Sequence, residues 1–387
     1  MLPHDPRPPQ PSPEALAHSQ ALTRSIAREI QAAGGWIDFA RYMEHALYAP
    51  GQGYYTGGAT KFGGEGDFVT APELSPLFAA TLARQVAEIL AQAPGDVLEL
   101  GAGSGSLAAD LLPVLDDLGR LPPRYRILEP SADLQARQQE RMAQLPARLA
   151  RRVEWLERLP DALYGVVLAN EVLDALPVHL VVWREDGIFE RGVTWSEGRF
   201  EFQDRALPDG ALRAQVQRIA PPVPYVSEIA LAAPALVRSL GERLAHGVLL
   251  FIDYGFGEAE YFHPQRARGT LMCHYRHRAH DDPFFLPGLQ DITCHVNFSA
   301  VARAGVEAGL ALLGYTTQSH FLINLGITEL LERTPAEQAG RYLPLAAQAQ
   351  RLLSPSEMGE SFKAIALGRG MGSGLAGFAR GDLGRLL

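Results

Sequence analysis

The chain has 387 residues, of which 47% are hydrophobic and 20% are charged, the composition of a globular protein long enough for two domains. Its formal net charge of −9 excludes a strongly basic protein, so we expect neither nucleic acid nor an acidic membrane surface as a partner. The two cysteines, Cys273 and Cys294, are too few for a disulfide framework and indicate a reducing compartment, so we expect a cytoplasmic location. No uninterrupted apolar run is long enough to span a bilayer, and we expect no stable membrane insertion.

The first part of the chain is predicted to be a leader followed by helices. Residues 1–13 are rich in proline and lack the apolar stretch of a secretory signal, so we expect a flexible leader. Apolar side chains at helical spacing predict helices over residues 13–33, 37–47 and 70–91. The glycine-rich and aromatic loop at residues 48–68 is long enough to be functional, and we assign residues 14–92 to a helical and lid segment.

From residue 96 onwards, short apolar strands alternate with amphipathic helices. The strands are predicted at residues 97–100, 125–129, 153–155, 165–170 and 248–253, and the helices at residues 107–118, 132–142 and 229–244. This alternation predicts a parallel sheet with right-handed crossovers, that is, a doubly wound, Rossmann-like α/β domain. We place this domain at residues 93–370 and a C-terminal tail at residues 371–387.

Two β-rich insertions are predicted within this domain, at about residues 178–226 and 256–298. In the first, apolar and polar residues alternate on both sides of Glu185-Asp186-Gly187, which is typical of a β-hairpin. In the second, His274, His277 and His280 are spaced by three residues and lie beside Cys273. Charged neighbours surround these histidines and no strong helical pattern places them on one face, so we predict a polar loop and no metal site.

A glycine-rich turn joins the first strand of the α/β domain to its helix, with the sequence LELGAGSG at residues 98–105. Glycines allow the backbone to turn tightly and to approach a ligand closely. In methyltransferases of this fold, the turn holds the methionine part of S-adenosyl-L-methionine. Glu129, at the end of the second strand, can accept hydrogen bonds from both hydroxyls of a ribose. Gly101, Gly103, Gly105 and Glu129 are therefore candidate cofactor-binding residues.

The same turn allows a second interpretation, because residues 103–108 also fit the G-x-G-x-x-A fingerprint of an NAD(P)-dependent oxidoreductase. A tight turn without a ligand is a third. Two features favour the methyl donor. Glu99 lies inside the first strand, two positions before Gly101, as in the methyltransferase form of the motif. Asn170 and Glu171 follow the fourth strand, where methyltransferases place polar groups facing the donor. Glu99 and Asn170 are therefore candidate cofactor-binding residues as well.

The chain from about residue 30 to residue 368 resembles the MidA-like family of bacterial and mitochondrial methyltransferases. The blocks that carry the resemblance are YAPGQGYY at residues 48–55, GDFVTAPELS at 66–75, ELGAGSG at 99–105, ANEVLDALP at 169–177, IDYG at 252–255 and DITCHVNF at 291–298. The sequence departs from the family at Asn297, where an acidic residue is usual, and residues 271–287 match it only loosely.

The resemblance implies a class I methyltransferase fold, S-adenosyl-L-methionine as cofactor and a protein substrate. The mitochondrial members assist complex I assembly by methylating an arginine on a core subunit, so it also implies such a subunit as substrate, and it allows for a homodimer. A chaperone that keeps the fold without catalysis is the alternative, against which the intact motif residues argue.

An arginine methyltransferase needs carboxylates that hold the guanidinium. Glu171 and Asp174 are the first candidates and Asp253 the second. The alternatives are a helix N-cap for Asp174 and an ordinary strand-end carboxylate for Asp253. Asp67 and Thr70 precede the core, in a segment that we interpret as a lid over the donor, with Asp67 near its amino group; a structural turn is the alternative.

Overall fold

A computed structural model describes residues 9–57, 69–372 and 374–387. The helices are α1 (Pro13–Ala32), α2 (Phe39–Tyr48), α3 (Ala71–Leu74), α4 (Pro76–Gln92), α5 (Ser106–Asp117), α6 (Ala132–Met142), α7 (Ala147–Ala150), α8 (Ala211–Val216), α9 (Ala232–Arg243), α10 (Glu258–Tyr261), α11 (Phe298–Glu307), α12 (Gln318–Asn324), α13 (Ile327–Glu332), α14 (Ala339–Leu353) and α15 (Met358–Ser361). Within the described ranges, no helix has the length and apolar character needed to cross a membrane.

The strands are β1 (Ile37–Asp38), β2 (Asp96–Leu100), β3 (Tyr125–Leu128), β4 (Val153–Leu156), β5 (Leu163–Asn170), β6 (His179–Arg184), β7 (Gly187–Ser196), β8 (Arg199–Ala206), β9 (Tyr225–Ile229), β10 (Leu244–Phe256), β11 (Met272–Tyr275), β12 (Arg278–His280), β13 (Asp291–Thr293), β14 (Val296–Asn297), β15 (Ala311–Thr317) and β16 (Phe362–Arg369).

The chain folds into two compact units that alternate along the sequence. The parallel-sheet unit contains Val69–Leu173, Pro234–Glu258 and Val296–Leu387. The accessory unit contains Met1–Phe68, Asp174–Ala233 and Ala259–His295. Residues 69–92, which the sequence assigned to a separate N-terminal segment, belong to the parallel-sheet unit.

The sheet of the parallel-sheet unit has the strand order β15-β16-β10-β5-β2-β3-β4. Neighbours from β10 to β4 are parallel, whereas β16 is antiparallel to both β10 and β15. The chain runs outward from β2 to β4 and then returns to β5 on the other side of β2. This reversal creates a switch point between β2 and β5, where the carboxyl ends of the strands can bind a ligand.

Apolar strands bury both faces of this sheet. On one face, Val97, Val166 and Val248 pack in one core with residues of α4 and α5. On the other, Gly305 of α11 lies against Leu367 of β16. Helices on both faces of a mainly parallel sheet confirm the predicted doubly wound α/β fold.

The accessory unit contains antiparallel sheets. One has the strand order β1-β7-β6-β9, with β8 paired to β7. The predicted hairpin is confirmed, because Arg184 of β6 pairs with Gly187 of β7 across a two-residue loop. The second sheet has the order β12-β11-β13. The histidine segment is therefore a β-hairpin rather than the predicted polar loop, with His274 on β11 and His280 on β12.

Two predicted helices begin or break at capping residues. The helix predicted from residue 37 starts at Phe39, because Asp38 is extended and its side chain accepts a hydrogen bond from the Arg41 amide at 2.8 Å. The helix predicted over residues 70–91 is broken at Ser75, which is extended and caps α4. Ser75 precedes Pro76, and a residue before proline is disfavoured in helical conformation.

Candidate functional site

The glycine-rich turn after β2 has a backbone that only glycine adopts readily. Gly101, Gly103 and Gly105 have φ angles of 59°, 54° and 81°, in the left-handed region. A side chain on Gly101 would lie 3.2 Å from the Val172 side chain, and one on Gly105 would lie 3.3 Å from Gln138. The turn therefore forms a cradle of backbone at the carboxyl end of β2, with little room for side chains at Gly101 and Gly105.

Glu129 follows β3 and lies beside this turn. Its Oε1 accepts a hydrogen bond from the Ser131 amide at 3.0 Å, and its Oε2 accepts one from Gln138 Nε2 at 3.2 Å. The same Gln138 Nε2 donates to the carbonyl of Gly103 at 2.9 Å. Gln138 thus joins the glycine-rich turn to Glu129, the two elements that the sequence assigned to the donor.

The orientation of the Gln138 amide is fixed by Trp155 on β4. Trp155 Nε1, which can only donate, bonds to Gln138 Oε1 at 2.9 Å. The Gln138 side chain is fully buried. Sequence reasoning missed both residues, because α6 has the composition of a surface helix and its partners are distant in the chain.

Glu99 lies inside β2 and is buried. Tyr125 Oη donates a hydrogen bond of 2.7 Å to Glu99 Oε2. Burial raises the pKa of Glu99 to about 7; the hydrogen bond from Tyr125 opposes this rise, and the charge of Glu129 adds to it. Glu99 therefore holds a proton far more readily than an exposed glutamate.

Asn170 and Glu171 lie at the carboxyl end of β5. Glu171 has a φ of 53°, a left-handed conformation that is strained for a residue with a side chain. Its Oε1 accepts hydrogen bonds from Asn170 Nδ2 at 3.0 Å and from the Ala71 amide at 3.3 Å. Asn170 Oδ1 is buried and, among the described residues, has no hydrogen-bond partner, so it can accept a hydrogen bond from a ligand.

Asp253 lies within β10 and is buried. Its Oδ2 accepts hydrogen bonds from the amides of Val172 and Leu173, at 3.2 and 2.9 Å, and its Oδ1 accepts one from the Tyr254 amide at 2.9 Å. These contacts fix the chain that follows Glu171. They favour a positioning role for Asp253 over direct contact with a substrate.

Two further residues of the parallel-sheet unit lie in or directly before α3. Glu73 Oε1 accepts hydrogen bonds from Ser104 Oγ and, at 2.8 Å, from Ser106 Oγ. Thr70 precedes α3 and makes no side-chain capping bond. Sequence reasoning chose Thr70 from this block and missed Glu73. Asp67, the other predicted lid residue, lies outside the described residues.

Asp174 belongs to the accessory unit and is buried there. The alternative of a helix N-cap is wrong, because residues 174–176 form a turn and no helix follows. The backbone carbonyl of Asp174 accepts a hydrogen bond from the Cys294 amide at 3.0 Å. Asp174 therefore has a conformation fixed by the segment that carries the DITCHVNF block.

The three histidines of the second insertion do not form a metal-ligand group in the structure. Within the part of the chain that the structure describes, the side chains whose ligand atoms all lie within 4.8 Å of one another are Asp38, His179 and Glu190. His179 Nδ1 lies 2.7 Å from Glu190 Oε1, the distance of a hydrogen bond. Asp38 is occupied in capping α2.

The geometry of the site fits S-adenosyl-L-methionine. We call the glycine-rich turn, Glu129 and Asn170 together the donor cradle. The glycine-rich turn has three glycines in left-handed conformation, Glu129 is a carboxylate of the kind that accepts hydrogen bonds from ribose hydroxyls, and Asn170 Oδ1 is a buried acceptor. These three elements follow β2, β3 and β5, which end at the same edge of the sheet.

Comparison with known proteins identifies the ligand class. A family model described as "Putative S-adenosyl-L-methionine-dependent methyltransferase" matches residues 81–316. A protein from Burkholderia thailandensis, crystallised bound to S-adenosyl-homocysteine, is 52% identical to this chain and has a TM-score of 0.96; the match covers 98% of this chain and 100% of that protein. S-adenosyl-L-methionine as the cofactor is therefore confirmed over NAD(P).

Curated relatives belong to the same family. The protein arginine methyltransferase NDUFAF7 of Mus musculus is 30% identical over 384 residues, which cover 89% of this chain and 84% of the mouse protein. The Drosophila melanogaster homolog is 30% identical over 93% of this chain and 88% of the fly protein.

The comparisons correct the predicted cellular location and establish the predicted class of activity. The predicted cytoplasmic location is wrong by this comparison, because both relatives are named as mitochondrial proteins. Scarcity of cysteine indicates a reducing environment and does not tell one reducing compartment from another. The family match, together with the class I sheet order and the donor cradle, establishes the activity class. The chain belongs to the MidA-like family of S-adenosyl-L-methionine-dependent methyltransferases.

Proposed function

We propose that this methyltransferase acts on an arginine of a protein substrate, with Glu171 as the carboxylate that holds the guanidinium. The observation that carries the proposal is the strained φ of 53° at Glu171, at the carboxyl end of β5. Strained backbone that its surroundings maintain is concentrated at functional sites. The relatives at 30% identity are named protein arginine methyltransferases, which supports the same acceptor.

For the donor, we propose contacts with Gly101, Gly103, Gly105, Glu129 and Asn170. Glu129 would accept from the ribose hydroxyls, since the two oxygens of a carboxylate offer about four lone-pair sites between them. Glu99, which the sequence also offers for the donor, is buried inside β2 with Tyr125 as a hydrogen-bond partner and stays a prediction. The prediction that Thr70 and Asp67 belong to a lid over the donor stays a prediction.

The chemistry places a specific demand on Glu171. S-adenosyl-L-methionine, when bound, supplies a methyl group attached to a positively charged sulfur. A guanidinium is a poor nucleophile because its lone pairs are delocalised and it stays protonated. The Glu171 carboxylate would orient one guanidinium nitrogen, concentrate positive charge away from it and accept the proton that it loses. Asp174, three residues later, is the second candidate for this work.

For the partner, we propose a core subunit of respiratory complex I, on the resemblance stated from the sequence. We also propose that the protein acts as a homodimer. Light scattering coupled to size-exclusion chromatography tests the second proposal, with an expected mass twice the 42.1 kDa of the chain.

Glu171→Gln tests the acceptor proposal, because it removes the charge and keeps the shape. We expect affinity for S-adenosyl-homocysteine to persist, while transfer of labelled methyl groups to the complex I subunit falls about 10²-fold, comparable to loss of a charge-stabilising contact. Replacing the acceptor arginine with lysine should also stop transfer, since an ammonium lacks the planar fork.

Glu157→Gln is the matched control, because Glu157 is an exposed carboxylate that follows β4, a strand of the same sheet that does not adjoin β5. It should transfer methyl groups at the wild-type rate. Unchanged turnover in Glu171→Gln, or methyl groups found on lysine or on a small molecule, would refute the arginine proposal and leave the methyltransferase family assignment intact.

A further inference from the structure

Glu73 lies outside the glycine-rich turn, yet its carboxylate bonds to one hydroxyl of that turn and to one at the start of the helix that follows it. The bonds join Glu73 Oε1 to Ser104 Oγ and Ser106 Oγ. Ser104 lies between Gly103 and Gly105, and Ser106 begins α5. The Glu73 side chain is only 16% exposed, so these bonds are largely shielded from water and gain strength from that shielding.

Arg141 of α6 completes the same polar cluster. Its Nη1 donates to Ser106 Oγ and lies 3.8 Å from Glu73 Oε1. One carboxylate and one guanidinium thus flank the two hydroxyls, and α3, α5 and α6 meet through polar groups. Loss of Glu73 would therefore remove specific hydrogen bonds to the turn without opening an apolar cavity.

The short helix α3 also bonds to the other side of the switch point. The amide of Ala71, two residues before Glu73, donates to Glu171 Oε1 at 3.3 Å. Ser104 follows β2, and Glu171 follows β5. The helix α3 is therefore hydrogen-bonded to both elements between which the fold binds its ligand.

A turn with three glycines in five residues has far more backbone freedom than a turn of the same length without glycine. A ligand that binds such a turn must restrict that freedom, at a cost in affinity that a pre-ordered turn avoids. We infer that Glu73 is a positioning residue, which holds the glycine-rich turn in its donor-binding conformation through Ser104 and Ser106. The inference rests on the proposed donor contacts of the turn.

Calorimetric titration with S-adenosyl-homocysteine tests this role without measuring activity. Glu73→Ala removes the acceptor, and we expect Kd to rise about tenfold, with a less favourable binding entropy because the ligand must now order the turn. Glu73→Gln keeps an acceptor oxygen for both hydroxyls, and Kd should stay within about threefold of wild type. Hydrogen exchange should become faster at the amides of residues 103–106 in Glu73→Ala alone.

Two controls separate this role from a general effect on folding. Glu140→Ala removes an exposed carboxylate next to Arg141 and should leave Kd unchanged. If Glu73→Ala proves unstable, Ser104→Ala removes one of the two hydroxyls and should raise Kd severalfold at an unchanged Tm. In a double-mutant cycle, Glu73→Ala and Ser104→Ala should be clearly non-additive.

Failure of the inference is distinguishable from failure of the donor site. A Kd within twofold of wild type in folded Glu73→Ala, or in Ser104→Ala, would overturn the positioning role alone. No binding by the wild-type protein would overturn the proposed donor contacts and this inference together. Gly103→Val, which forces a side chain into a left-handed position of the turn, gives the reference for complete loss of binding.

Discussion

Replacing Gln138 with methionine should weaken both the fold and the donor site. Methionine has a similar length and is apolar, so the change leaves three groups without their partner, namely the Gly103 carbonyl, Glu129 Oε2 and Trp155 Nε1. A neutral hydrogen bond contributes about 1 kcal/mol and one to a carboxylate about 2 kcal/mol, which gives a sum of about 4 kcal/mol. Gly103 and Trp155 are partly exposed, so water can replace some of the lost hydrogen bonds. We therefore expect the free energy of unfolding to fall by about 2–4 kcal/mol.

Urea unfolding followed by calorimetry with S-adenosyl-homocysteine measures both effects of Gln138→Met. The affinity for S-adenosyl-homocysteine should fall about tenfold, because the turn and Glu129 are no longer hydrogen-bonded to the same side chain. Gln139→Met, an exposed neighbour on α6, should change neither quantity. Wild-type stability and affinity in Gln138→Met would refute the argument that this buried amide positions the donor site.

Two further perturbations follow from buried carboxylates. Because the folded pKa of Glu99, about 7, lies above its ordinary 4.5, the unfolded chain binds fewer protons between these values, and stability should fall as pH rises from 4.5 to 7 and then level off. At 1.4 kcal/mol per pH unit, the pH-dependent part of the unfolding free energy that Glu99 contributes is about 3 kcal/mol. Urea unfolding at pH 5 and at pH 8 measures this difference for the wild type, and the difference should disappear in Glu99→Gln. Equal pH profiles for variant and wild type would contradict the prediction. Asp253→Asn should cost about 2–4 kcal/mol in urea unfolding, because the new amide group faces backbone donors that the carboxylate satisfied; a variant as stable as wild type would contradict this.

The parts of the fold that the sequence predicted well are governed by local patterns. The apolar run at residues 248–253 identified β10 as a buried strand, and the period of α6 gave its limits as residues 132–142. The glycine-rich turn was recognisable because a left-handed backbone requires glycine whatever surrounds it. Each of these features depends on residues within one short segment.

The residues that the sequence did not predict act through contacts that are distant along the chain. Gln138 bonds to Gly103, 35 residues earlier, and to Trp155, 17 residues later. Glu73 and Ser104 are 31 residues apart. No periodicity or composition marks such pairs. Glu73 nevertheless lies in the GDFVTAPELS block, and this resemblance is a signal from which a functional role could have been predicted.

Asp174 illustrates a different limit. The sequence placed Glu171 and Asp174 together as a carboxylate pair after one strand, which assumes that the chain continues in one regular element. In the structure the chain passes into the accessory unit after Leu173, and Asp174 lies in a turn. A spacing of three residues predicts a shared direction only within a helix, and no helix forms there.

The strained conformation of Glu171 is explained by the strand beside it. The Glu171 amide donates to the Ile252 carbonyl at 2.9 Å, and the next two amides donate to the buried carboxylate of Asp253. A left-handed φ costs a residue with a side chain about 1–3 kcal/mol, and hydrogen bonds to a buried carboxylate are strong enough to offset that cost. Asp253 thus stabilises the backbone on which the Glu171 carboxylate is held, which explains how a buried acidic residue of β10 can act on the segment after β5 while only Glu171 remains partly exposed.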